Sequence, residues 1–394
     1  MRPVHAVVVG GNLNGLGVVR SLSRGGVPVV VLETTRRCPA AWSRHCVYVR
    51  ARSLQGAGLI ESLVRVAADL DCRPVLILTS DESVLAVSAA RAQIEPIYRI
   101  DLPAAAMVEA LADKVGFHAL AEREGFPVPR SRTVSGEADL DRIRELEPPI
   151  IVKPADKTLV LAGIVERTVC ADSVMQARAA ASRMLTRAPS LLVQEWVEGP
   201  DTEILFTLFT CDRESNLIGV FPGRKLVCSP PAVGTTAVCV AAPEVAAELY
   251  RHTRDFVQRV RYRGLGSLEF KRDSRSGRLL IIEPTVGRTD WQEEIATLCG
   301  LNLPLLAYRI ALRAAVPPAD TVTSFAPHAW RSERQFPVPR ALVKSGTRVI
   351  GGYFRWLDPL PAAYYYGYER LAMRAWRRAI RLTRRAFPRT VETH

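Results

Sequence analysis

The chain has 394 residues, of which 48% are hydrophobic and 24% are charged. This length and composition allow a large buried core in two or three structural units and exclude a disordered chain. Residues 1–9 run directly into an apolar segment without a small-residue cleavage site, and no apolar stretch approaches the roughly 20 residues that cross a bilayer. We therefore expect a soluble protein that is made in the cytoplasm.

The net charge of +13 is unevenly distributed along the chain. Residues 321–394 contain 14 lysines and arginines against 4 acidic residues, so the first 320 residues are nearly balanced. No nucleic-acid-binding module accompanies the basic segment, which disfavours a nucleic-acid partner. The eight cysteines are scattered singly without a CxxC pair, so the sequence predicts neither a zinc site nor a disulfide framework.

The first 112 residues alternate short apolar runs with amphipathic segments, which predicts a parallel α/β sheet in a Rossmann-like domain. The turn GGNLNGLG, Gly10 to Gly17, joins the first strand to the first helix, where glycines permit tight turning and helix amides attract phosphate. Glu33 stands at the spacing of a ribose-binding acid. An NAD or FAD site is therefore one possibility, although such turns also begin many domains that bind no dinucleotide.

Residues 113–196 read as a small α+β unit. A helix from Asp113 ends in Gly-Phe-Pro-Val-Pro, and two strand-like runs follow. Lys153 closes the first run, IIVK, where a cation on a rigid strand could face the phosphates of ATP, and Lys114 could supply a second cation. A single lysine at either place is more often a solvated surface residue.

Residues 197–318 are rich in predicted strands, and two of these strands end in acids. Glu269 and Glu283 each close an apolar run, and the turn-rich segment DSRSG joins the runs, so they read as adjacent antiparallel strands. That geometry would bring both carboxylates to one site suited to Mg²⁺, which takes one or two carboxylates together with water and phosphate oxygens. Arg288 could neutralise the γ-phosphate or a developing acyl phosphate.

Just before these strands, the run QEWVEGPDTE is an apolar strand that ends in acids and a turn. A strand edge offers backbone groups to an adenine rim, and a following carboxylate can accept hydrogen bonds from ribose hydroxyls. The simpler alternative is a strand followed by an ordinary turn. The segment from Gly223 through Arg224 and Lys225 is predicted to be a loop with two cations for an acidic substrate, or simply a solvated loop.

Taken together, these motifs over residues 1–315 resemble the ATP-grasp superfamily. The resemblance implies an N-terminal Rossmann-like domain, a small lid and a C-terminal α+β half closing over Mg·ATP, followed by a basic helical tail. It implies these nucleotide-binding residues: Lys114, Lys153, Gln194, Glu195, Val197 through its backbone, and Asp201 or Glu203 on the ribose. It implies metal binding by Glu269, Glu283 and Thr285, with Arg288, Lys225 and Arg224 near the reacting groups.

The match has two departures from the family pattern. Thr285 replaces the usual asparagine in EPTVGR, and the lid segment Ala155 to Val165 has only Gly163 where relatives are glycine-rich. The implied activity is an ATP-dependent, ADP-forming ligation of a carboxylate to an amine through an acyl phosphate, on small-molecule, peptide or glycan substrates. An NAD(P)-dependent oxidoreductase and a catalytically silent nucleotide-binding scaffold remain the alternatives, and the oligomeric state is open.

Residues 319–394 read as a basic C-terminal extension. From Tyr364 to Phe387, arginines recur at spacings of three or four while apolar residues gather on another side of the predicted helix. Such a helix can lie peripherally on the inner face of an anionic membrane, with Trp376 at the interface, or it can dock on its own catalytic domain. The sequence does not decide between the two.

Overall fold

The computed structural model describes residues 4–155, 164–165, 168–232, 234–316 and 324–369. Most of the predicted lid segment Ala155 to Val165, including Gly163, lies outside the described residues. The same is true of the predicted basic helix beyond Glu369. No helix in the described part of the chain is long and apolar enough to cross a membrane.

The N-terminal unit is a parallel four-stranded sheet in the order β3-β2-β1-β4, flanked by helices. The inner strands are almost continuous runs of buried valine and leucine, as expected of parallel strands covered on both faces. The strands are β1 (Ala6–Val9), β2 (Val29–Glu33), β3 (Val47–Arg50) and β4 (Val75–Leu78). The helices are α1 (Leu13–Arg24), α2 (Gly56–Ala68), α3 (Asp81–Ala89), α4 (Arg91–Ile94), α5 (Ala105–Ala112) and α6 (Lys114–Glu124). This confirms the predicted α/β class.

The small middle unit is an antiparallel sheet in the order β5-β8-β6-β7; among its described residues, the helix Val174–Leu185 and the 3-10 helix Glu137–Glu145 pack on it. Its elements are β5 (Ser131–Val134), β6 (Ile150–Pro154), β7 (Val169–Ala171), α7 (Val174–Leu185) and β8 (Leu191–Glu195). Its separate core begins at Val134, whereas Phe117 and Leu120 on α6 pack into the large core of the molecule. Helix α6 therefore packs with the main body, and the unit 113–196 stays a prediction.

The C-terminal half is built on a seven-stranded sheet in the order β13-β12-β9-β10-β11-β14-β15. Its strands are β9 (Ile204–Cys211), β10 (Leu217–Ser229), β11 (Thr235–Ala241), β12 (Gly264–Arg272), β13 (Leu279–Val286), β14 (His328–Arg331) and β15 (Arg348–Gly351). Its helices are α8 (Ala246–Arg259), α9 (Glu294–Leu298), α10 (Leu303–Ala311), α11 (Arg340–Lys344) and α12 (Leu360–Ala363). Five of the six described pairings in this sheet are antiparallel, and the pairing between β14 and β15 is parallel.

The described part of the predicted extension 319–394 is not a separate tail. Strand β14 pairs with β11 and β15 pairs with β14, so residues 328–351 continue the main sheet, and Trp330 is fully buried there. Arg20 on α1 holds the segment after β15 against the N-terminal unit. Its guanidinium donates hydrogen bonds to Asp358 at 2.9 Å and to the carbonyl of Gly352 at 2.7 Å, and all three groups are buried. The basic composition of residues 319–394 gave no indication of these strands, because the partner of a strand is set by residues that are distant in the sequence.

Candidate active site

A cleft of about 490 Å³ lies where the three units meet. Its described lining comes from the first glycine turn, from the lid strands β6 and β8, and from the main-sheet strands β10, β12 and β13. It brings together most of the predicted site residues. They are Lys114, Lys153, Gln194, Glu195, Val197, Lys225, Glu269, Glu283, Thr285 and Arg288.

Glu269 and Glu283 are direct partners in the antiparallel ladder between β12 and β13. Side chains directly opposite each other in such a ladder lie on the same face of the sheet, and both acids line the cleft. Burial raises the pKa of Glu269; the charge of Lys225 opposes this, and Glu283 adds to it. The ladder therefore holds two carboxylates together at the floor of the cleft, as the sequence predicted.

Lys225 lies two strands away on β10 and forms an ion pair with Glu269. Burial is the largest single influence and disfavours its charge, but the neighbouring groups together, Glu269 first among them, raise the pKa of the lysine. Its neighbour Arg224 is outside the described cleft lining, since successive side chains of a strand alternate between faces. Arg224 instead pairs with Glu244 at 2.8 Å. The prediction of a loop with two cations facing the cleft was wrong, because both residues belong to strand β10 and only Lys225 faces the site.

Lys153 is held by a hydrogen-bonded chain of side chains that runs behind the lid strands. Its Nζ donates to Oε1 of Gln194 at 3.3 Å, and Gln194 Nε2 lies 3.0 Å from Nε2 of His118. Nδ1 of His118 lies 3.1 Å from the hydroxyl of Ser131. Burial, followed by the charge of Lys153, lowers the pKa of His118 to about 4. These hydrogen bonds position the ammonium group of Lys153 through side chains that carry no charge. Sequence analysis did not single out His118.

The predicted adenine segment follows β8 at the rim of the cleft. Trp196 and Val197 line it, and the backbone N–H of Trp196 is already bonded to the carbonyl of Pro149 at 2.8 Å. Glu195 also lines the cleft, while its carboxylate accepts the N–H of Glu147 at 3.0 Å. Val197 therefore lies at the rim of the cleft, and its contact with an adenine base stays a prediction.

Asp201 and Glu203 are outside the described lining of the cleft. The carboxylate of Asp201 accepts the backbone N–H groups of Cys228 and Ala232, each at 2.9 Å. Glu203 forms ion pairs with Arg272 at 3.8 Å and with Arg224 at 3.9 Å. The predicted ribose contact from one of these acids finds no support in this arrangement, because both carboxylates already hold neighbouring protein groups.

Arg288 and Thr285 lie at the other end of strand β13, facing the N-terminal unit. Arg288 forms an ion pair with Asp81 on α3; burial is the largest single influence and disfavours its charge, but the neighbouring acids together, Asp81 first among them, raise its pKa. Thr285 lines the cleft two residues from Glu283, on the same face of the strand. Asp290, which sequence analysis missed, also lines the cleft and accepts a hydrogen bond from Ser267 at 3.1 Å.

The glycine turn at Gly10 is used for packing. The carboxylate of Glu33, the expected ribose acid, accepts the N–H of Gly11 at 2.9 Å. Asn14 donates to the carbonyls of Thr79 and Thr289 at 3.1 and 3.0 Å, which ties the turn to the C-terminal half. A Cβ at Gly15 would lie 2.0 Å from the carbonyl oxygen of Gly10. These contacts explain the glycines and the acid without a dinucleotide.

A third residue that sequence analysis missed, Lys271, lies on β12 two positions beyond Glu269 and on the same face. Its Nζ is 4.4 Å from the ring of Trp196 and is buried without a hydrogen-bond partner among the described residues. Both side chains line the cleft. In the sequence Lys271 looks like any solvated lysine, and only its position beside Trp196 in the fold distinguishes it.

The acidic residues of the cleft fit Mg²⁺ better than a metal ion whose ligands all come from the protein. Within the described ranges, no group of three or more His, Cys, Asp or Glu side chains is arranged to hold a metal ion. Two carboxylates opposed on a β ladder are the donor set that Mg²⁺ takes when phosphate oxygens and water complete its shell. The desolvated Glu269 also gains from a nearby cation, since burial disfavours its charge.

No family model matches the chain. D-aspartate ligase of Enterococcus faecium (strain Aus0004) is 21% identical over 318 residues, which cover 75% of this chain and 74% of the relative. N5-carboxyaminoimidazole synthetase of Staphylococcus aureus superposes with a TM-score of 0.62 at 15% identity, covering 80% of this chain and 78% of that one. Biotin carboxylase of Campylobacter jejuni, in a complex with an ATP analogue, gives 0.60 at 13% identity, covering 81% and 73%. The chain accordingly has the ATP-grasp fold that its motifs predicted.

Proposed function

We propose that this chain is an ATP-dependent, ADP-forming ligase that joins a carboxylate to an amine. The observation that carries the proposal is the meeting of Glu269 and Glu283, opposed on one ladder, with Lys153 and Arg288 in a single cleft. Two carboxylates can hold Mg²⁺, and the cations can bind the phosphates of the nucleotide. These acidic and basic side chains come from three structural units and line one cavity, as binding of Mg·ATP requires.

The reaction follows from charge. Magnesium bound at Glu269 and Glu283 would neutralise part of the triphosphate charge. Lys153, fixed by Gln194, binds and orients the phosphates, and Arg288, fixed by Asp81, stabilises charge that develops during transfer. The substrate carboxylate takes the γ-phosphoryl group and releases ADP. The amine then displaces phosphate from the acyl phosphate, forms the amide and loses one proton.

The similarity to D-aspartate ligase makes aspartate the first carboxylate to test. The substrates that we propose are small, or are the exposed carboxylate and amine groups of peptides or glycans. An oxidoreductase reaction is not supported, since Glu33 and the glycine turn are engaged within the protein. We also propose a cytoplasmic protein with a peripheral membrane contact through residues 364–387, whose basic sequence extends beyond the described residues.

The proposal is tested by ADP release from purified protein with Mg·ATP and a panel of amino-acid carboxylates and amines. ADP release that requires both substrates, and an amide detected by mass spectrometry, would support it. We expect Glu283→Gln to abolish turnover. Glu244→Gln is the matched control, since Glu244 pairs with Arg224 outside the cleft. Nucleotide binding with no substrate-dependent ADP release from any pair would instead support the silent scaffold.

A further inference from the structure

Large apolar side chains are exposed at one corner of the molecule, where the C-terminal segment returns to the N-terminal unit. Trp356 is 84% exposed, Leu357 76%, Leu360 55% and Trp42 39%. We call these four residues the apolar corner. Exposed large hydrophobics that are close together differ from the isolated ones common on protein surfaces, and they mark contact sites.

The corner is held rigidly by buried polar groups. Asp358, between Leu357 and Leu360, accepts hydrogen bonds from the hydroxyl of Ser43 and the N–H of Arg44, both at 3.0 Å. It also forms a buried ion pair with Arg20 at 2.9 Å. Trp42, adjacent to Ser43, stacks on Tyr364 with ring centroids 5.6 Å apart. The exposed side chains therefore belong to a segment that Asp358 holds in place.

Basic residues surround the corner. Arg36, whose carbonyl accepts the indole N–H of Trp42 at 3.0 Å, is exposed, and so are Arg37 and Arg44. Exposed Arg334 lies 5.2 Å from the ring of Tyr366. The chain then continues from Glu369 into 25 further residues with eight arginines and one acid. The partner must therefore present both negative charge and an apolar layer.

We infer that the apolar corner docks on an anionic lipid bilayer, with Trp356, Leu357 and Leu360 entering the interface and the arginines contacting lipid headgroups. Tryptophan with leucine on a basic surface is the combination that favours the membrane interface, and basic residues near an anionic surface add electrostatic attraction. The inference rests on the proposed membrane contact and adds to it a second surface, which adjoins residues 364–387 through the stacking of Trp42 on Tyr364.

Docking at this corner would also orient the cleft. Gly352, four residues before Trp356, lies against Leu13, such that a Cβ at 352 would be 2.8 Å from that side chain. The neighbours of Leu13, Asn12 and Asn14, line the cleft. The corner and the glycine-turn end of the cleft therefore belong to the same part of the molecule, and a docked enzyme would hold that end near the membrane.

The test is co-sedimentation of the full-length protein with phosphatidylcholine vesicles, prepared with and without phosphatidylserine. We expect binding only with phosphatidylserine, weakened by salt. The double variant Trp356→Ser/Leu357→Ser should bind at least about tenfold more weakly, since two large apolar groups no longer enter the interface. Met175→Ser/Val64→Ser is the control, because both residues are well exposed in other elements. Basal ADP release should be unchanged in both double variants.

Other results would overturn the inference in distinguishable ways. If the corner variant binds like the wild type while a chain ending at Glu369 does not bind, the tail alone makes the contact and the corner is excluded. If the full-length protein does not bind while a chain without residues 370–394 does, the tail covers the corner within the molecule and the corner is not a membrane contact of the full chain. If the wild type is a dimer and the corner variant a monomer by light scattering, the occupant is a second copy of the chain.

Discussion

The amide Nε2 of Gln194 lies 3.0 Å from Nε2 of His118, and this contact fixes the protonation of the histidine. Lys153 can only donate, so the Gln194 oxygen must face it and the Gln194 nitrogen must face His118. Nε2 of His118 then accepts, and its proton resides on Nδ1, which donates to Ser131 at 3.1 Å. A protonated His118 would place two donors against each other and release Gln194 from Lys153.

His118→Leu should weaken ATP binding without removing any group from the cleft. The Gln194 amide loses its acceptor, so the side chain that orients Lys153 is no longer fixed. Loss of one such hydrogen bond costs about 1 kcal/mol, and we expect KM for ATP to rise about fivefold, with a smaller change in kcat. His45→Leu is the control, since it removes a histidine–serine contact of 2.8 Å away from the cleft. Equal KM values for the two variants would contradict this role of His118.

The same histidine predicts how stability depends on pH. Burial lowers its folded pKa to about 4, below the value of about 6.5 expected in the unfolded chain. As pH falls below about 6.5 the unfolded chain therefore binds the proton first, and the stability of the folded state falls until about pH 4, by up to about 3 kcal/mol. Urea unfolding at a series of pH values should show a smaller decline for His118→Leu than for the wild type. Parallel curves would show that His118 does not set this dependence.

The ion pair between Lys225 and Glu269 should reveal itself through a double-mutant cycle. Glu269→Gln leaves a buried ammonium without its counter-charge, and we expect a loss of about 2 kcal/mol in the free energy of unfolding, since the carboxylate is partly exposed. Adding Lys225→Met should recover most of that loss. Denaturant melts without nucleotide measure this directly, and additive single effects would count against a direct pair. Neither Glu269 variant should turn over Mg·ATP.

Parts of this site were predictable because local sequence determines them. Glu269 and Glu283 end two apolar runs joined by a turn-rich segment, and a hairpin of that kind places them opposite each other. The segment around Arg224 was predicted to be a loop because Gly223 precedes the two cations and Pro230, Pro231 and Gly234 follow them, and glycine and proline are normally turn residues. In the fold, Gly223 lies under the ring of Phe206, where a Cβ would be 2.1 Å from a ring carbon, so the glycine permits close packing inside a strand.

His118 and the strands after Pro327 were not predictable from local sequence. His118 contacts Gln194 across 76 residues, and a single histidine in a helix carries no mark of its partner. Strand β14 pairs with β11, which lies nearly a hundred residues earlier in the sequence. The apolar run of β14 is short and is flanked by arginines, so it does not resemble a strand in the sequence. Both features depend on which distant segments meet.

Asn14 should act on stability, since its hydrogen bonds join the glycine turn to the C-terminal half. Its amide donates to Thr79 and Thr289, and its oxygen accepts the Thr289 hydroxyl at 2.7 Å. We expect Asn14→Ala to lower the free energy of unfolding by about 2 to 3 kcal/mol, given two or three buried hydrogen bonds. Exposed Asn12 provides the control, since Asn12→Ala should change stability little. If NAD(H) raises the Tm of the wild-type protein as much as Mg·ATP does, the result would support a dinucleotide site at the glycine turn.

Lys271 makes the sharpest prediction, because one substitution should have opposite effects on the free and the nucleotide-bound protein. Its ammonium is buried beside the Trp196 ring without a hydrogen-bond partner among the described side chains and backbone, and burial lowers its pKa. A desolvated charge of that kind destabilises the free protein and becomes favourable once a ligand supplies an acceptor. Lys271→Met should therefore raise the Tm of the free protein, yet reduce the Tm increase given by Mg·ATP and raise KM for ATP about tenfold at nearly constant kcat. Trp196→Leu is the matched change on the other partner, and it should raise KM without raising the Tm of the free protein. If Lys271→Met lowers the Tm of the free protein and leaves KM unchanged, the lysine stabilises the fold and does not contact the nucleotide.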